Sequence, residues 1–201
     1  KLLLSEIAHC LNAECPEEKV ITEISTDTRN LPAGCLFIAI KGERFDGHAF
    51  IKQAIENGAA AAVSEYPVDG CPCIVVKNTR TALLKLAKYY RSKFNPVLVG
   101  ITGSVGKTTT KEMIALVLSE KYKTLKTQGN LNNEIGLPKT LFNLDSSYQA
   151  AVIEMGMSDF GEIERLSNTA VPTIGVITNI GFSHIENLKS QEGILKAKLE
   201  I

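Results

Sequence analysis

The sequence predicts an α/β fold with two parts: a small N-terminal α/β domain, and a second domain whose parallel sheet carries a phosphate-binding loop. Short apolar runs alternate with amphipathic stretches along most of the 201 residues, which is the pattern of α/β proteins. In the second half the apolar runs are continuous, as in parallel strands buried on both faces. A glycine-rich segment lies between the first of these runs and a helical stretch, which is the context of a phosphate loop.

The first half contains two predicted strands and two predicted helices. The apolar runs Leu36 to Ile40 and Ile74 to Val76 predict short strands. An amphipathic pattern predicts helices over His48 to Asn57, closed by Gly58, and over Ala82 to Phe94. These elements form the predicted N-terminal domain.

The domain boundary is predicted at Asn95-Pro96, because a residue before proline is disfavoured in helical geometry. The two domains are therefore residues 1–95 and 96–201. The predicted strands of the second domain cover residues 97–102, 123–127, 150–155 and 173–179. Its predicted helices cover residues 107–120, 134–143, 159–168 and the residues from 190 onward.

Charge and composition exclude several classes of function. Lys plus Arg and Asp plus Glu number 22 each, so no net positive field favours nucleic acid. No apolar run approaches the roughly 20 residues that span a bilayer, and residues 1–10 lack the features of a signal peptide. Five cysteines, an odd number, argue against a disulfide framework. We expect a cytoplasmic monomer with reduced thiols that binds neither nucleic acid nor membrane.

The segment Gly100 to Thr110 is the strongest functional signal. Its glycines allow backbone amides to approach a phosphate closely, and the following helix directs its positive end to the same anion. Lys107 is placed to contact the β and γ phosphates, and Thr108 stands where a hydroxyl usually binds Mg²⁺. The strict G-x-x-x-x-G-K-[ST] pattern fails because Ile101 stands where it requires the first glycine. The candidate nucleotide-binding residues are Thr102, Gly103, Ser104, Val105, Gly106, Lys107, Thr108 and Thr109.

Other polar residues follow the predicted strands, where ligands of a parallel sheet collect. Glu154 ends an apolar run, and a charge there is costly unless it is paired or bound to a cation. His184 follows the last predicted strand and can point into the same crevice. Residues 127–136 contain three asparagines and two glycines, a composition that suits turns and helix caps as well as a ligand site. Lys196 and Lys198, taken alone, suit a solvated helix face.

Together these residues resemble the Mur ligase family, the ATP-dependent ligases that build the peptide of bacterial peptidoglycan. The segments that carry the resemblance in the second half are residues 100–112, 129–138, 152–156, 179–184 and 196–201. In the first half, residues 25–29, 36–42 and 45–48 resemble the family's UDP-binding domain. The resemblance covers essentially the whole chain, and the last two of these segments favour the member that adds D-alanyl-D-alanine to UDP-N-acetylmuramoyl-tripeptide.

The resemblance implies a role for each matching residue. Lys107 and the loop amides would hold the phosphates of ATP, and Thr108 with Glu154 would ligate one Mg²⁺. His184 would ligate a second Mg²⁺ together with a carbamylated lysine, which the resemblance places at Lys198, with Lys196 as the second choice. Lys107, His184 and Lys198 are thus the implied catalytic residues. The implied substrate-binding residues are Thr26, Asp27, Arg29, Lys41, Asp46, His48, Asn130 and Asn133.

The family has three domains, so the resemblance implies that this chain ends inside the second domain and does not ligate alone. Three other functions stay open. A different Mur-type ligase or a folylpolyglutamate synthase would share the phosphate loop. A generic P-loop ATPase would need neither the asparagines nor His184. A non-catalytic nucleotide-sugar-binding module would need neither Glu154 nor a metal.

For Arg29 a purely structural role also stays open, since it could simply form a surface ion pair with Asp27.

Overall fold

The computed structural model of the chain describes residues 1–42, 45–181 and 185–201, with Ile185 described by its backbone only. Two compact units are present, Lys1–Leu86 (unit 1) and Ala87–Ile201 (unit 2). The division falls inside the helix Thr79–Ser92. The boundary that the sequence predicts, between residues 95 and 96, lies just after this helix and stays a prediction. The predicted α/β fold with parallel sheets is confirmed.

Unit 1 contains a four-stranded parallel sheet in the order β3-β4-β5-β6 and a small antiparallel pair, β1 with β2. The strands are β1 (Leu2–Leu3), β2 (Val20–Ile21), β3 (Ile24–Ser25), β4 (Leu36–Ile38), β5 (Ala61–Ser64) and β6 (Cys73–Val75). The helices are α1 (Leu4–Leu11), α2 (Ile51–Glu56) and the first part of α3 (Thr79–Ser92), and a 3₁₀ turn covers Gly47–Phe50. Apolar side chains around Phe37 and Ile51 form part of the core of unit 1.

Unit 1 contains more elements than the sequence predicts: α1 and the strands β1, β2, β3 and β5 are additional, and one predicted helix is divided. The helix predicted over His48 to Asn57 is divided into the 3₁₀ turn and α2, because the amides of Ala49 and Ile51 bond to carbonyls three residues earlier, at Asp46 and His48. β5 was not predicted. It begins with two alanines, which favour helix locally, and it becomes a strand because it pairs with both β4 and β6.

Unit 2 is built on a four-stranded parallel sheet in the order β10-β7-β9-β8. The strands are β7 (Val97–Thr102), β8 (Thr124–Lys126), β9 (Ala150–Glu154) and β10 (Ile174–Ile177). The helices are the end of α3, then α4 (Lys107–Ser119), α5 (Gly136–Leu141), α6 (Glu162–Ala170), α7 (Ile185–Leu188) and α8 (Gln191–Lys198). The elements predicted over residues 96–201 are confirmed, with ends shifted by no more than three residues, and within the described part of this range only α7 is additional.

The register of the sheet in unit 2 places the phosphate loop beside Glu154. All five residues of β9 are buried, as are the residues of β7 after Val97. Ile101 of β7 is paired with Glu154 of β9, and Thr102 is paired with Ile177 of β10. The residues that follow these three strands therefore meet at one edge of the sheet. None of the helices described has the length and apolar character needed to cross a membrane.

Candidate nucleotide and metal site

The predicted order of strand, loop and helix is present around residues 97–119. β7 ends at Thr102, and α4 begins at Lys107. Gly106 precedes α4 with a φ of 81°, a left-handed conformation that favours glycine. Gly103 has a φ of 152°, and a Cβ atom there would lie 1.8 Å from the Thr178 hydroxyl oxygen. Both glycines are therefore required by the path of the backbone.

Residues after β10 hold the loop in place. The Asn179 side-chain oxygen accepts hydrogen bonds from the amides of Ser104 (3.1 Å) and Val105 (3.0 Å). The Thr178 hydroxyl donates to the Val105 carbonyl at 2.6 Å, and the Gly181 amide donates to the Ser104 hydroxyl at 2.9 Å. The loop is thus held by residues outside α4. The first-turn amides of α4 have no acceptor inside the helix, so they are available to bind an anion.

Positive charge is concentrated at the loop. The Lys107 ammonium folds back over it and donates to the Gly103 carbonyl at 2.8 Å. Thr108 and Thr109, also predicted as nucleotide-binding residues, are exposed at the start of α4. The Thr102 hydroxyl is buried and makes no hydrogen bond within the described part of the chain. The loop thus combines an ammonium, free helix amides and exposed hydroxyls, which is the chemistry that a polyphosphate requires.

The carboxylate of Glu154 lies beside Thr108, as the sequence predicts. The Thr108 hydroxyl donates to Glu154 Oε2 at 3.1 Å, and the Asn132 amide group donates to Oε1 at 2.8 Å. The backbone is fixed as well, because the Glu154 amide donates to the Thr127 hydroxyl at 2.9 Å. Glu154 is only 2% exposed. A buried carboxylate next to a hydroxyl offers hard oxygen donors, which fit Mg²⁺ with phosphate or water completing its coordination.

Lys111 is a second buried charge at this site. It lies one helical turn after Lys107, is 1% exposed, and places its Nζ 3.8 Å from Glu154 Oε2 and 3.2 Å from Glu112 Oε1. Glu112 also pairs with Lys126, and the hydrogen bonds from Lys126 and Lys111 hold the pKa of Glu112 below its usual value. An ion-pair chain of alternating sign therefore runs from Glu154 to the surface.

Lys198 is buried at the end of α8. It is 2% exposed, and its pKa is lowered from 10.5 to about 8, chiefly by burial and further by the positive charge of Lys107. Lys196, by contrast, is exposed. Glu200 fixes this end of the chain, since its carboxylate accepts from the Gly161 amide at 3.0 Å and from the Glu164 amide at 3.2 Å. The structure thus brings Lys198, and not Lys196, into the electrostatic environment of the loop.

The asparagines of residues 127–136 differ in their contacts. Asn133 Oδ1 accepts hydrogen bonds from the amides of Ile135 and Gly136 at the start of α5. Asn130 is exposed. The sequence singled out these two residues, and their predicted substrate contacts stay a prediction. Asn132, between them, is the residue that contacts Glu154.

The sequence-based candidates omitted four residues of the site: Lys111, Asn132, Thr178 and Asn179. Asn132 stood within the asparagine cluster, and Thr178 with Asn179 follow a predicted strand, so their position at the ligand edge was an available signal. Lys111 gave none. His184, predicted as a metal ligand, lies outside the described residues. Within those that are described, no group of three or more His, Cys, Asp and Glu side chains could hold a metal.

The candidate substrate residues of unit 1 follow the carboxyl ends of the neighbouring strands β3 and β4. Arg29 is exposed and makes a two-point contact with the Asp27 carboxylate, with Nε 2.9 Å from Oδ1 and Nη2 2.5 Å from Oδ2. Thr26 is half-buried, and Lys41 is exposed and forms an isolated antiparallel β-bridge with Asp46 through its backbone. The arrangement places these polar groups at one edge of the sheet.

His48 is a buried part of this edge. Its Nε2 accepts a hydrogen bond from the Glu65 amide at 3.1 Å, so the ring proton is on Nδ1, which donates to Asp46 Oδ1 at 2.5 Å. The backbone and ring hydrogen bonds from His48 lower the pKa of Asp46. The ring also stacks on Tyr66, with centroids 5.0 Å apart. With both ring nitrogens bonded, His48 orients Asp46.

Comparison with known proteins gives consistent matches. The profile of the Mur ligase middle domain matches residues 101–201, and that of the Mur ligase family catalytic domain matches residues 20–91. The UDP-N-acetylmuramoyl-tripeptide--D-alanyl-D-alanine ligase of Bacillus subtilis is 51% identical over 189 residues, which are 92% of this chain and 41% of that protein. The Escherichia coli protein of the same name is 43% identical over 98% of this chain and 44% of its own length.

Solved structures give the same picture. A crystal structure of MurF from Acinetobacter baumannii matches with a TM-score of 0.92 and 38% identity, over 98% of this chain and 45% of that one. The MurF ligase of Thermotoga maritima in complex with ADP matches with a TM-score of 0.84 and 38% identity, over 89% of this chain and 42% of that one. The chain therefore spans less than half the length of these relatives.

Proposed function

Since the chain belongs to the Mur ligase family, we propose that it acts in the ATP-dependent addition of D-alanyl-D-alanine to UDP-N-acetylmuramoyl-tripeptide, a step of peptidoglycan synthesis in the cytoplasm. The observation that carries the proposal is the meeting of the phosphate loop with the buried Glu154 carboxylate through Thr108. The names of the similar proteins support this substrate pair. The ADP complex of a similar protein supports the nucleotide.

The proposed reaction has two steps. The terminal carboxylate of the UDP-linked tripeptide attacks the γ-phosphorus of ATP, which forms an acyl phosphate and releases ADP. The amine of D-alanyl-D-alanine then attacks the acyl carbon, forms the amide, loses a proton and displaces inorganic phosphate. Lys107 and the first amides of α4 would stabilise the negative charge of the phosphates, so that their contribution is positioning and electrostatics.

The donors around the loop fit a divalent cation. Thr108 and Glu154 would hold one Mg²⁺, since hydroxyl and carboxylate oxygens are the ligands that this ion prefers. When bound, the ion would supply positive charge to the transferring phosphoryl group. We assign a second Mg²⁺ to His184 and Lys198, following the family resemblance. Glu154 is kept in place for this role by Asn132 and by its own backbone bond to Thr127.

We propose that Lys198 carries a carbamate. A neutral amine attacks carbon dioxide and loses a proton, which gives an anionic oxygen ligand on a side chain that would otherwise be a cation. A pKa of about 8 makes the neutral amine accessible near physiological pH. Lys196 is exposed and is the weaker candidate for this modification.

We assign different parts of the substrate to each unit separately. In unit 1 we assign the UDP moiety to the edge that carries Thr26, Asp27, Arg29, Lys41, Asp46 and His48. In unit 2 we assign the muramoyl group or its pyrophosphate to Asn130 and Asn133. We expect the protein to act as a monomer.

Phosphate release by the full-length protein tests the function. With ATP and UDP-N-acetylmuramoyl-tripeptide present, we expect D-alanyl-D-alanine to raise the rate at least about tenfold over any single amino acid. A preference for a single amino acid would indicate another ligase, and release that needs no acceptor would indicate an ATPase. Full activity of a Glu154→Ala variant would favour a non-catalytic nucleotide-sugar-binding module for this region.

Asn179 should affect the use of ATP. Asn179→Ala removes the side-chain oxygen that accepts from the Val105 and Ser104 amides, although the Ser104 amide keeps its bond to the Asn179 carbonyl at 3.2 Å. The two lost hydrogen bonds stabilise the loop by about 1–3 kcal/mol together. We therefore expect the KM for ATP to rise about tenfold, with a smaller change in kcat. Asn143→Ala is the control, because that exposed side chain lies just after α5 and donates to the Lys139 carbonyl of that helix. An unchanged or lower KM for ATP in Asn179→Ala would contradict this role.

A further inference from the structure

We propose that Lys111 is an internal counter-cation of Glu154, which holds this carboxylate before a divalent cation arrives and lowers the affinity of the site for that cation. The inference rests on the proposed function only in taking Glu154 as a metal ligand. It concerns a lysine that belongs to neither the phosphate loop nor the assigned ligands.

The first argument is geometric. Glu154 and Lys111 are both almost fully buried, and Nζ lies 3.8 Å from Oε2. Thr108 and Asn132 also bond to the carboxylate, but they are neutral and leave its charge uncompensated. A buried carboxylate without a compensating charge is strongly unfavourable, whereas a buried pair with additional hydrogen bonds is tolerated. Lys111 therefore supplies the charge that this site needs when no metal is present.

The second argument concerns the surrounding charges. Glu112 on α4 also pairs with Lys111, at 3.2 Å, and Lys126 on β8 pairs with Glu112 in turn. The two acids and two lysines have no net charge. Lys111 is thus paired with two carboxylates, of which only Glu154 is buried and lacks a second cation among the ion pairs of the described residues. Glu154 is therefore the carboxylate that depends on Lys111 for its compensating charge.

The third argument follows from the oxygen that the pair shares. Glu154 Oε2 accepts from the Thr108 hydroxyl and faces the Lys111 ammonium. A divalent cation bound between Thr108 and Glu154 would use this same oxygen. Because the ammonium and the ion attract one carboxylate and repel each other, each weakens the binding of the other. Lys111 would thus keep the site in its binding geometry at the expense of metal affinity.

Titration of the full-length protein with MgCl₂ alone tests the inference by calorimetry, without reference to activity. We expect Lys111→Met, which keeps the length of the side chain and removes the charge, to bind Mg²⁺ about tenfold more tightly than the wild type. Lys111→Arg retains the charge and should stay near the wild-type affinity. Lys121→Met is the matched control, because Lys121 is an exposed lysine just after α4. Unchanged or weaker Mg²⁺ binding by a folded Lys111→Met variant would overturn the proposal.

Melting temperatures without metal test the pairing itself. Lys111→Met should melt below the wild type, and the double variant Lys111→Met/Glu154→Gln should recover most of the loss, since the uncompensated carboxylate is then removed. If the double variant melts as low as Lys111→Met, the pairing is wrong. If Glu154→Gln leaves Mg²⁺ binding unchanged, the metal assignment of the proposed function falls, and the competition with Lys111 falls with it. If Mg²⁺ binding requires Glu154 but Lys111→Met does not strengthen it, only the inference about Lys111 fails.

Discussion

Replacing Lys107 by methionine in the full-length protein should lower kcat for phosphate release by about a thousandfold, which corresponds to about 4 kcal/mol of transition-state stabilisation. The methionine keeps the apolar length of the side chain and removes the ammonium that lies over the loop, 2.8 Å from the Gly103 carbonyl. Phosphoryl transfer depends on positioning and charge more than on covalent chemistry, so a missing cation at the phosphates acts directly on the barrier.

The measurement is kcat at saturating ATP, UDP-N-acetylmuramoyl-tripeptide and D-alanyl-D-alanine. Lys121→Met is again the control, since it removes one exposed lysine outside the site. Binding of UDP-N-acetylmuramoyl-tripeptide should be retained, because we assign the UDP moiety to unit 1, and protected amides of β7 and β9 in native-state hydrogen exchange should show that unit 2 of the variant is folded. A kcat within tenfold of the wild type would show that Lys107 does not carry the phosphate charge.

Replacing Lys198 by methionine should stabilise unit 2 by about 3 kcal/mol at pH 7 in bicarbonate-free buffer. Folding lowers the pKa of this lysine from 10.5 to about 8, so at pH 7 the folded protein carries a buried ammonium at a cost of about 1.4 kcal/mol for each pKa unit. Methionine fills the same space without that cost. Loss of the carbamate site should at the same time abolish activity.

The stability advantage of Lys198→Met over the wild type should fall as the pH rises. Below pH 8 the lysine is charged in both states, and the whole cost of burying the charge is present. Between pH 8 and 10.5 the unfolded chain binds more protons than the folded one, so stability rises with pH. The advantage of Lys198→Met over the wild type should therefore fall to about 1 kcal/mol at pH 10.

Native-state hydrogen exchange of the amides in β7 and β9 gives the free energy of unfolding for unit 2. Lys196→Met is the matched control, because Lys196 is exposed two residues away on the same helix and its replacement should change stability little at either pH. A Lys198→Met variant that is less stable than the wild type at pH 7 would mean that the ammonium is stabilised in the folded state, contrary to the burial seen here.

Much of unit 2 could be predicted because local pattern and tertiary context agree. The continuous apolar runs Ala150–Glu154 and Ile174–Ile177 are strands in the structure, and the glycines of the loop stand where the backbone needs them. Unit 1 was predicted less completely. Its strand Ala61–Ser64 is rich in alanine, and only its pairing with the strands on either side makes it part of the sheet.

The sequence by itself determined the α/β class and the phosphate loop, because apolar runs and glycine positions are local patterns, and it placed Glu154 at the carboxyl end of a strand, where ligands of a parallel sheet collect. That Thr108 and Glu154 act together was implied by the family resemblance. The tertiary structure alone decided the partners of these residues. Lys111 became the counter-charge of Glu154, Asn132 its hydrogen-bond donor, Asn179 the support of the loop, and Lys198 rather than Lys196 the buried lysine. Each of these depends on burial and on distances of a few ångströms between side chains far apart in the chain. Residue type and spacing do not encode such distances, whereas packing fixes them.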